Sequence, residues 1–488
     1  MQTPAKVIIP LFLALLSLAL VSCAGTNAET LVVASPIVSA TTAPPPTVNG
    51  STATPPLLIA PSFTPSPTAV SEAPPTSTPL ATAVPAATAT ATASPSATPP
   101  AELAPALPGT NQGFELVAHH ALGGIGWHAG LALHDSCAYV GNRRSGAATI
   151  IDIGDPENPA VVGAIPFGAA GRPVELRTVP ERDLLIVADF EHARLVTFDV
   201  ADCREPRQLG AIELPGAPHE FYLWRDGERL LLFGAMFDHA ADDLIVVDMT
   251  DPAAPVEVAR WAAEEAGLPG LLHSLSVSPG GDRGYLALWS GVLVAELDLP
   301  TARVLRDEEG VGHLEPVPNA HSAVPLSDAA APRYLLATSE IYVCPFGGVT
   351  ILDILDPARP QVAATFALPE NRCRDLPAPD AVFTAHNPLV IGDLVFLSWY
   401  GAGLQVLDVS DPRAPERVAQ FVPRGEGAAA ASYVGGYPVQ TWSYPILRDG
   451  LLYVADIQSG LYVLRYVGPG AADVAAVKRA EGNITLDP

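Results

Sequence analysis

One segment recurs along this chain and constrains its fold more than any other feature. Residues 385–423, AHNPLVIGDLVFLSWYGAGLQVLDVSDPRAPERVAQFVP, contain four short apolar runs that are separated by Gly-Asp, Gly-Ala-Gly and Ser-Asp-Pro turns. Runs of this length that are rich in Val and Leu and end at such turns are typical of antiparallel strands. Because one four-stranded meander cannot bury both of its faces, the segment has to stack against copies of itself.

Six further segments align with this one, so the sequence predicts an all-β fold, a seven-bladed β-propeller of four-stranded antiparallel blades. In chain order, the blades cover residues 128–166, 172–215, 218–261, 272–306, 320–369, 385–423 and 440–466. Six blades have an aspartate at the end of the third strand: Asp152, Asp199, Asp248, Asp298, Asp353 and Asp408. Their spacings of 47 to 55 residues lie within the range of propeller blades.

A turn motif, Asp-Pro-x-x-Pro, follows four of these aspartates, at residues 155–159, 251–255, 356–360 and 411–415. An Asp side chain can accept a hydrogen bond from a turn N–H, and the prolines preset φ, so we predict an architectural role for the motif. Strings such as LIVVDMTDPAAP, ATIIDIGDPENP and LQVLDVSDPRAP resemble the LVIVD-repeat family of bacterial surface propellers. The resemblance covers about residues 112–466 and implies the fold, but no particular activity.

The last blade lacks a recognisable fourth strand. A surplus strand, residues 113–121, precedes blade one, and we predict that it completes blade seven and removes an open sheet edge. The propeller then spans residues 111–466. Six blades with a stray hairpin remain the alternative. Residues 467–488, VGPGAADVAAVKRAEGNITLDP, are predicted to form a disordered C-terminal tail.

The N-terminal region predicts export and a lipid anchor. Residues 1–22 have one charge, Lys6, and an apolar stretch at residues 7–21 that is short for a membrane span, as in a signal peptide. The sequence Leu20-Val-Ser-Cys23 resembles a bacterial lipobox, which implies lipidation of Cys23. Residues 23–110 are rich in Pro, Thr and Ala and are predicted to be a disordered linker. We expect an extracytoplasmic lipoprotein at the cell surface or outer membrane.

The cysteines predict two disulfides. Loops that join the second to the third strand of a blade, or one blade to the next, lie on one face of a propeller, called the top here. Cys344 and Cys373 lie in top loops, whereas Cys137 and Cys203 lie in loops of the opposite, bottom face. Of the three connectivities, these faces select Cys137–Cys203 and Cys344–Cys373, as expected in an oxidising compartment. Buried free thiols are the alternative.

Histidines recur where the innermost strand of a blade begins, beside the top of the central channel. Neutral imidazoles and carboxylates suit a divalent metal, so a metal in the channel is one hypothesis. The candidate ligands are His219, His273, His321 and His386, with His128, Glu175 and Glu220 as further members. A structural hydrogen-bonding element copied with the repeat, and acid–base catalysis without a metal, are the alternatives. Ser274 and Ser322 each follow a histidine, but adjacent strand residues point to opposite faces, so no Ser–His pair is expected.

Aromatic residues in top loops are candidates for ligand binding, with burial between blades as the alternative: Trp289, Tyr342, Trp399 and Tyr400. A net charge of −26 disfavours nucleic acid as a partner. No HExxH sequence, phosphate-cradling loop or nucleophile elbow is present. We therefore expect a monomeric binding or scaffold module that contacts a cell-surface protein, a glycan or a small ligand. It would meet the membrane through its lipid alone. An extracytoplasmic metalloenzyme is the alternative.

Overall fold

The computed structural model describes residues 103–236, 243–264, 267–268, 270–298, 303–304, 314–327, 329, 331–374, 376–427 and 436–482. The predicted signal peptide, Cys23 and the linker up to residue 102 lie outside the described residues, as do residues 483–488. Within the described part, no helix is long and apolar enough to span a membrane.

Seven antiparallel sheets form the seven predicted blades, and in blades one, two, three, five and six the four blade strands are neighbours in chain order. Blade one contains β3 (His128–His134), β4 (Cys137–Asn142), β5 (Ala147–Asp152) and β6 (Ala160–Pro166). Blade two contains β7 (Pro173–Val179), β8 (Leu184–Asp189), β9 (Arg194–Asp199) and β10 (Arg207–Glu213). Blade three contains β11 (Pro218–Asp226), β12 (Arg229–Met236), β13 (Leu244–Asp248) and β14 (Val256–Trp261).

The remaining blades follow the same order. Blade four contains β15 (Leu272–Val277), β16 (Arg283–Leu288), β17 (Gly291–Asp298) and two short outer strands, β18 (Arg303–Val304) and β19 (Leu314–Glu315). Blade five contains β20 (Ala320–Pro325), β21 (Tyr334–Ser339), β22 (Val349–Asp353) and β23 (Gln361–Phe366). Blade six contains β24 (Pro388–Ile391), β25 (Leu394–Ser398), β26 (Leu404–Asp408) and β27 (Glu416–Phe421). Blade seven contains β28 (Ile446–Arg448), β29 (Leu451–Asp456) and β30 (Gly460–Tyr466). Short 3-10 helices cover Leu122–Gly124, Pro180–Arg182 and Pro369–Arg372.

Blade seven is completed from the N-terminal side, as predicted. Strand β2 (Phe114–His120) pairs antiparallel with β30, from Phe114 opposite Tyr466 to His120 opposite Leu461. A shorter strand that was not predicted, β1 (Asn111–Gln112), pairs with the outer strand of blade six. The Phe114 ring contacts Phe421 and Tyr466, at centroid distances of 6.3 and 5.3 Å, and so joins the last two blades. Closure therefore comes from both strand pairing and aromatic packing.

The end of the linker is ordered, which differs from the predicted boundary at residue 110. Ala106 is fully buried, and its N–H donates to Glu370 Oε1 at 2.8 Å. The amide of Gln420 donates to the carbonyl oxygen of Ala104 at 2.7 Å. The backbone polar groups of this segment find partners in blade six and in the 3-10 helix Pro369–Arg372, so composition alone misplaced the boundary.

The prediction of a disordered tail was wrong for residues 467–482. Helix α1 (Ala471–Ala476) is followed by strand β31 (Arg479–Glu481), which pairs with the innermost strand of blade seven. The pairing sets Arg479 opposite Arg448 and Glu481 opposite Ile446, so the tail enters the channel from the bottom. Glu481 is buried there. Because β31 faces a polar channel, it lacks the apolar alternation by which strands are recognised.

The repeat turns and both disulfides are as predicted. The side chain of Asp155 accepts a hydrogen bond from the Glu157 N–H at 3.2 Å, and Asp411 accepts one from the Arg413 N–H at 3.0 Å. Disulfides join Cys137 to Cys203 and Cys344 to Cys373, with Cα separations of 5.8 and 6.0 Å. Turns and cross-links of this kind fix the bottom and top loops around the channel.

The apolar core lies between neighbouring blades. Ile186 of blade two packs with Phe221 and Leu232 of blade three, and all three are buried. Equivalent clusters fill other blade interfaces, and the innermost strands converge on the channel. The polar side chains of these innermost strands are thereby brought together in the channel.

Candidate functional site

Four of the predicted histidines form a continuous row at the top of the channel. The ring centroids of His219 and His273 are 4.6 Å apart, those of His273 and His321 are 4.1 Å apart, and those of His321 and His386 are 3.9 Å apart. Each of the four is at most 7% exposed. The row runs across blades three to six, so the recurrence seen in the sequence becomes direct contact between side chains.

A β-bulge places three of the four histidines, His219, His273 and His321, whereas His386 lies just before its strand. In blade three the register passes from Pro218 opposite Met236 to Glu220 opposite Ala235, so His219 is the extra residue of the strand. The same shift skips His273 in blade four and His321 in blade five. A bulged residue is left out of the ladder and its side chain is re-aimed. The innermost strands therefore turn their first side chains toward the channel.

The bulge also corrects one expectation from the sequence. Alternation predicted that His321 and Ser322 point to opposite faces, yet His321 Nδ1 lies 2.8 Å from Ser322 Oγ, within hydrogen-bonding distance. Alternation does not hold across a bulge, so the prediction was wrong for this pair. Both residues are fully buried.

The sequence analysis missed Glu340, the carboxylate at the centre of the row. One of its oxygens, Oε2, lies 3.3 Å from His273 Nε2 and 4.0 Å from His321 Nε2. The other, Oε1, lies 3.2 Å from His386 Nε2. The hydroxyls of Tyr342 and Tyr400 both donate hydrogen bonds to Oε1. Glu340 directly follows the second strand of blade five, whereas the predicted histidine ligands lie at the starts of innermost strands. A carboxylate at the top end of an apolar strand was the available signal.

A second carboxylate, Glu220, flanks the row. Its Oε1 lies 3.6 Å from His321 Nε2, and its Oε2 accepts a hydrogen bond from the Tyr444 hydroxyl at 3.0 Å. In the described residues, two groups of potential metal ligands have all ligand atoms within 4.8 Å: Glu220, His321 and His386, and His273, His321 and Glu340. His321 belongs to both. The name upper cluster is used below for His219, His273, His321, His386, Glu220 and Glu340.

Burial determines the charges of the upper cluster. Desolvation, reinforced by neighbouring imidazoles, holds the pKa of His219 and of His321 well below the usual value, so these rings are neutral. Burial alone would raise the pKa of the Glu340 carboxyl, but His321 and His386 hold that pKa well below its usual range. The cluster thus contains an ionised carboxylate, Glu340, and two neutral imidazoles, those of His219 and His321.

Three predicted ligands lie outside both ligand groups: His219, His128 and Glu175. His128 is buried at the start of blade one, and desolvation lowers its pKa to about 4. Glu175 forms an ion pair with Arg177, and burial raises the Glu175 pKa to about 8. Arg177 Nε is also 3.9 Å from Glu481 Oε1, and Arg479 pairs with Glu481 at 2.8 Å. The name lower cluster is used for Glu175, Arg177, Arg479 and Glu481. It extends toward the bottom of the channel.

The predicted ligand-binding aromatics divide into three kinds. Trp399 is fully buried and donates its indole N–H to the Phe383 carbonyl oxygen at 3.1 Å, so it is a core residue and its predicted ligand contact was wrong. Tyr342 and Tyr400 hold Glu340 in place. Trp289, in the top loop of blade four, is 41% exposed. Of these four side chains, Trp289 is the one most accessible to a partner.

Comparisons with known proteins identify the repeat. The family model of the LVIVD repeat matches residues 240–262. A comparison with curated proteins found no match. Similar solved structures include hydrazine synthase from Kuenenia stuttgartiensis, with 15% identity, a TM-score of 0.47 and coverage of 71% of this chain and 97% of that one. The Swd1 β-propeller domain from Myceliophteria thermophila has 13% identity, a TM-score of 0.46 and coverage of 70% and 97%. The function is therefore inferred from the residues of the protein itself.

Proposed function

This chain is an LVIVD-repeat β-propeller protein, and from that premise we propose that it is a surface-tethered binding module whose top face contacts the partner. The propeller fold supports a binding or scaffold role. The lipobox-like sequence at Cys23 and the Pro/Thr-rich linker support attachment to a membrane by a lipid and a stalk. The partner would be a protein, a glycan or a small ligand outside the cytoplasm.

Exposed apolar side chains in two top loops carry the proposal. Trp289 joins the second and third strands of blade four and is 41% exposed, and Val343 occupies the equivalent loop of blade five and is 65% exposed. Aromatic side chains are enriched at the centres of protein interfaces, so Trp289 is the stronger candidate contact and Val343 marks the adjoining loop. The channel beside them is filled by buried side chains, such as Trp442 and Tyr444. A partner therefore meets the face of the propeller rather than its interior.

Site-specific photo-crosslinking tests this face. A photoreactive phenylalanine analogue at position 289 or 343 of the full-length anchored protein should give a discrete adduct on intact cells. Leu355 is the matched control because it is 72% exposed in a bottom turn. Adducts at 289 and 343 but not at 355 support the proposal. Equal labelling at all three positions, or no adduct at 289 and 343, contradicts it.

The tether has its own test. Cys23→Ala removes the lipidated thiol, so the variant should partition into the aqueous phase of a detergent extraction while the unaltered chain partitions into the detergent phase. Identical partitioning of the two proteins would contradict the anchor and leave the binding face untouched.

Catalysis is not included in the proposal. A catalytic metal keeps one coordination position open to water or substrate. The four imidazoles of the upper cluster are at most 7% exposed, and Glu340 and Glu220 are buried as well. In the described part of the chain, the cluster has the burial of a closed site.

A further inference from the structure

We propose that the upper cluster binds one divalent transition-metal ion, with zinc the best match. Its ligands are Nε2 of His273, His321 and His386 and the carboxylate of Glu340. This site goes beyond the binding face proposed above and does not depend on it. Its role is structural: the ion fixes the innermost strands of blades four, five and six to the top loop of blade five.

The spacing of the ligand atoms fits one ion. Tetrahedral ligands at about 2.0–2.1 Å from zinc lie about 3.3 Å from one another. Glu340 oxygens are 3.3 Å from His273 Nε2, 3.2 Å from His386 Nε2 and 4.0 Å from His321 Nε2. The atoms of His273, His321 and Glu340 also all lie within 4.8 Å of one another. A small contraction around an ion would bring this set to ligand distances.

The hydrogen bond made by His386 Nδ1 leaves the other ring nitrogen, Nε2, facing the Glu340 carboxylate. His386 Nδ1 lies 2.8 Å from the carbonyl oxygen of Trp442, which can only accept, so Nδ1 carries the proton. In a neutral ring, Nε2 then has a lone pair, and this lone pair is directed at the Glu340 carboxylate. Such a ring can offer this lone pair to a cation that also binds the carboxylate, while Nδ1 keeps its hydrogen bond. The His386 ring therefore has the tautomer of a metal ligand.

Buried nitrogens without partners point the same way. Among the described residues, Nε2 of His321 and Nε2 of His386 are buried and make no hydrogen bond. A buried polar atom without a partner costs about 1–3 kcal/mol. His321 Nε2 lies 3.6 Å from Glu220 and 4.0 Å from Glu340, and His386 Nε2 lies 3.2 Å from Glu340, so a bound cation would satisfy both nitrogens beside these carboxylates.

Outer hydrogen bonds hold the ligands in orientation, as they do around other metal sites. Tyr342 and Tyr400 donate to Oε1 of Glu340. Ser322 Oγ contacts His321 Nδ1 at 2.8 Å. Glu220 Oε1 lies 3.6 Å from His321 Nε2, so a dication at this place would have two carboxylates near it, those of Glu220 and Glu340. Nitrogen and oxygen donors in a closed, buried arrangement favour zinc over magnesium or calcium.

Metal content and affinity test the site on the full-length protein. After purification without chelators, elemental analysis should find about one zinc per chain. Removal of the ion with EDTA should lower the melting temperature by several degrees, and added zinc should restore it. Glu340→Gln and His273→Gln each replace a ligand by a side chain of similar size. Each should weaken zinc affinity at least 100-fold, since mutation of a residue that only hydrogen-bonds to a ligand costs up to about 100-fold. Zinc affinity would be measured by competition with a fluorescent chelator.

A matched control for the ligand substitutions is available at His128. His128 occupies the equivalent strand position in blade one but lies outside both ligand groups, so His128→Leu should keep the affinity of the unaltered chain. Circular dichroism would confirm that each variant is folded. The proposal is overturned if the folded protein binds none of zinc, copper, manganese or iron(II) stoichiometrically. It is also overturned if Glu340→Gln binds zinc as tightly as the unaltered chain. Neither result affects crosslinking at position 289, so the two proposals fail separately.

Discussion

The channel holds two buried polar clusters that balance charge in different ways. In the lower cluster, the Arg177 guanidinium lies between Glu175 and Glu481, so the protein supplies its own cation. The upper cluster sets Glu340 against imidazoles, of which His219 and His321 are neutral because burial lowers their pKa. Buried charges require a partner. The lower cluster contains its own cation, Arg177, whereas the upper cluster has the ligand arrangement of a site that binds a metal cation.

The origin of the two clusters explains the difference. The upper histidines occupy one repeated strand position, so duplication of the blade supplied similar ligands to one place. The lower cluster combines Arg177 of blade two with Glu481 of the C-terminal strand, which is not part of any repeat. Tyr444 lies between the clusters, because its hydroxyl donates to Glu220 at 3.0 Å while its ring lies 4.8 Å from the Arg177 guanidinium carbon.

Removal of the internal cation should have the largest effect. Arg177→Met leaves Glu175 and Glu481 buried without it, which should lower the free energy of unfolding by about 3–5 kcal/mol. Arg465→Met is the matched control, since the Arg465–Glu115 pair is exposed and should contribute at most about 1 kcal/mol. Denaturant unfolding would measure both. Similar losses for the two variants would mean that the lower cluster does not depend on its guanidinium.

Removal of the C-terminal strand should have the next largest effect. Truncation after Lys478 deletes β31 and Glu481, and with them the strand pairing to β28 and one partner of Arg177. We expect the free energy of unfolding to fall by about 2–3 kcal/mol. A truncation that removes only residues 485–488 keeps β31 and serves as the control. If both truncated chains unfold at the denaturant concentration of the full chain, the tail does not close the channel.

His128 tests what a repeat histidine does without a carboxylate partner. Burial lowers its pKa to about 4 from the usual value of about 6.5, so the folded state binds the proton less well than the unfolded state. This histidine therefore has no effect above about pH 6.5 and destabilises the protein progressively as pH falls toward 4. At pH 5 the loss is about 2 kcal/mol relative to pH 7.5.

The His128→Leu variant lacks this titration. Compared at pH 7.5 and pH 5, the variant should lose about 2 kcal/mol less of its unfolding free energy than the unaltered chain does. Denaturant unfolding at the two pH values would measure the difference. Parallel losses in the two proteins would show that His128 titrates normally in the folded state.

Tyr444→Phe should have the smallest effect. The substitution removes the hydroxyl that donates to Glu220 but keeps the ring beside Arg177. We expect a loss of about 1–2 kcal/mol in unfolding free energy and a modest decrease in zinc affinity, since Glu220 loses a positioning hydrogen bond. Tyr453→Phe, which alters a buried tyrosine of blade seven outside both clusters, controls for the general cost of losing a hydroxyl. Unchanged metal affinity in Tyr444→Phe would separate the two clusters completely.

The sequence contained the information for the architecture because strand runs and turn residues repeat with a fixed period. That period predicted the blades, the closing strand β2 and the pairing of Cys137 with Cys203 and of Cys344 with Cys373. The site was only partly predictable. The histidines shared a repeat position, but Glu340 occurs at the end of a second strand in one blade. Its place among them depends on how blades three to six converge.

Two further features had no usable signal in the sequence. The bulges that turn His219, His273 and His321 inward are register shifts between strands, and no residue type in the strands themselves requires them. Strand β31 has the sequence Arg-Ala-Glu, which reads as a polar tail until the buried guanidinium of Arg177 is placed opposite Glu481. Both features arise from packing around the channel, which local patterns do not encode.

X-ray absorption at the zinc K-edge of the full-length protein tests the central claim most directly. A single ion in the upper cluster predicts four nitrogen or oxygen ligands at about 2.0–2.1 Å, with the outer scattering of three imidazoles. The Glu340→Gln variant should lose this signal, and His128→Leu should retain it. A protein without stoichiometric metal, or a zinc ion with sulfur ligands at about 2.3 Å, would contradict a histidine–carboxylate site in the channel.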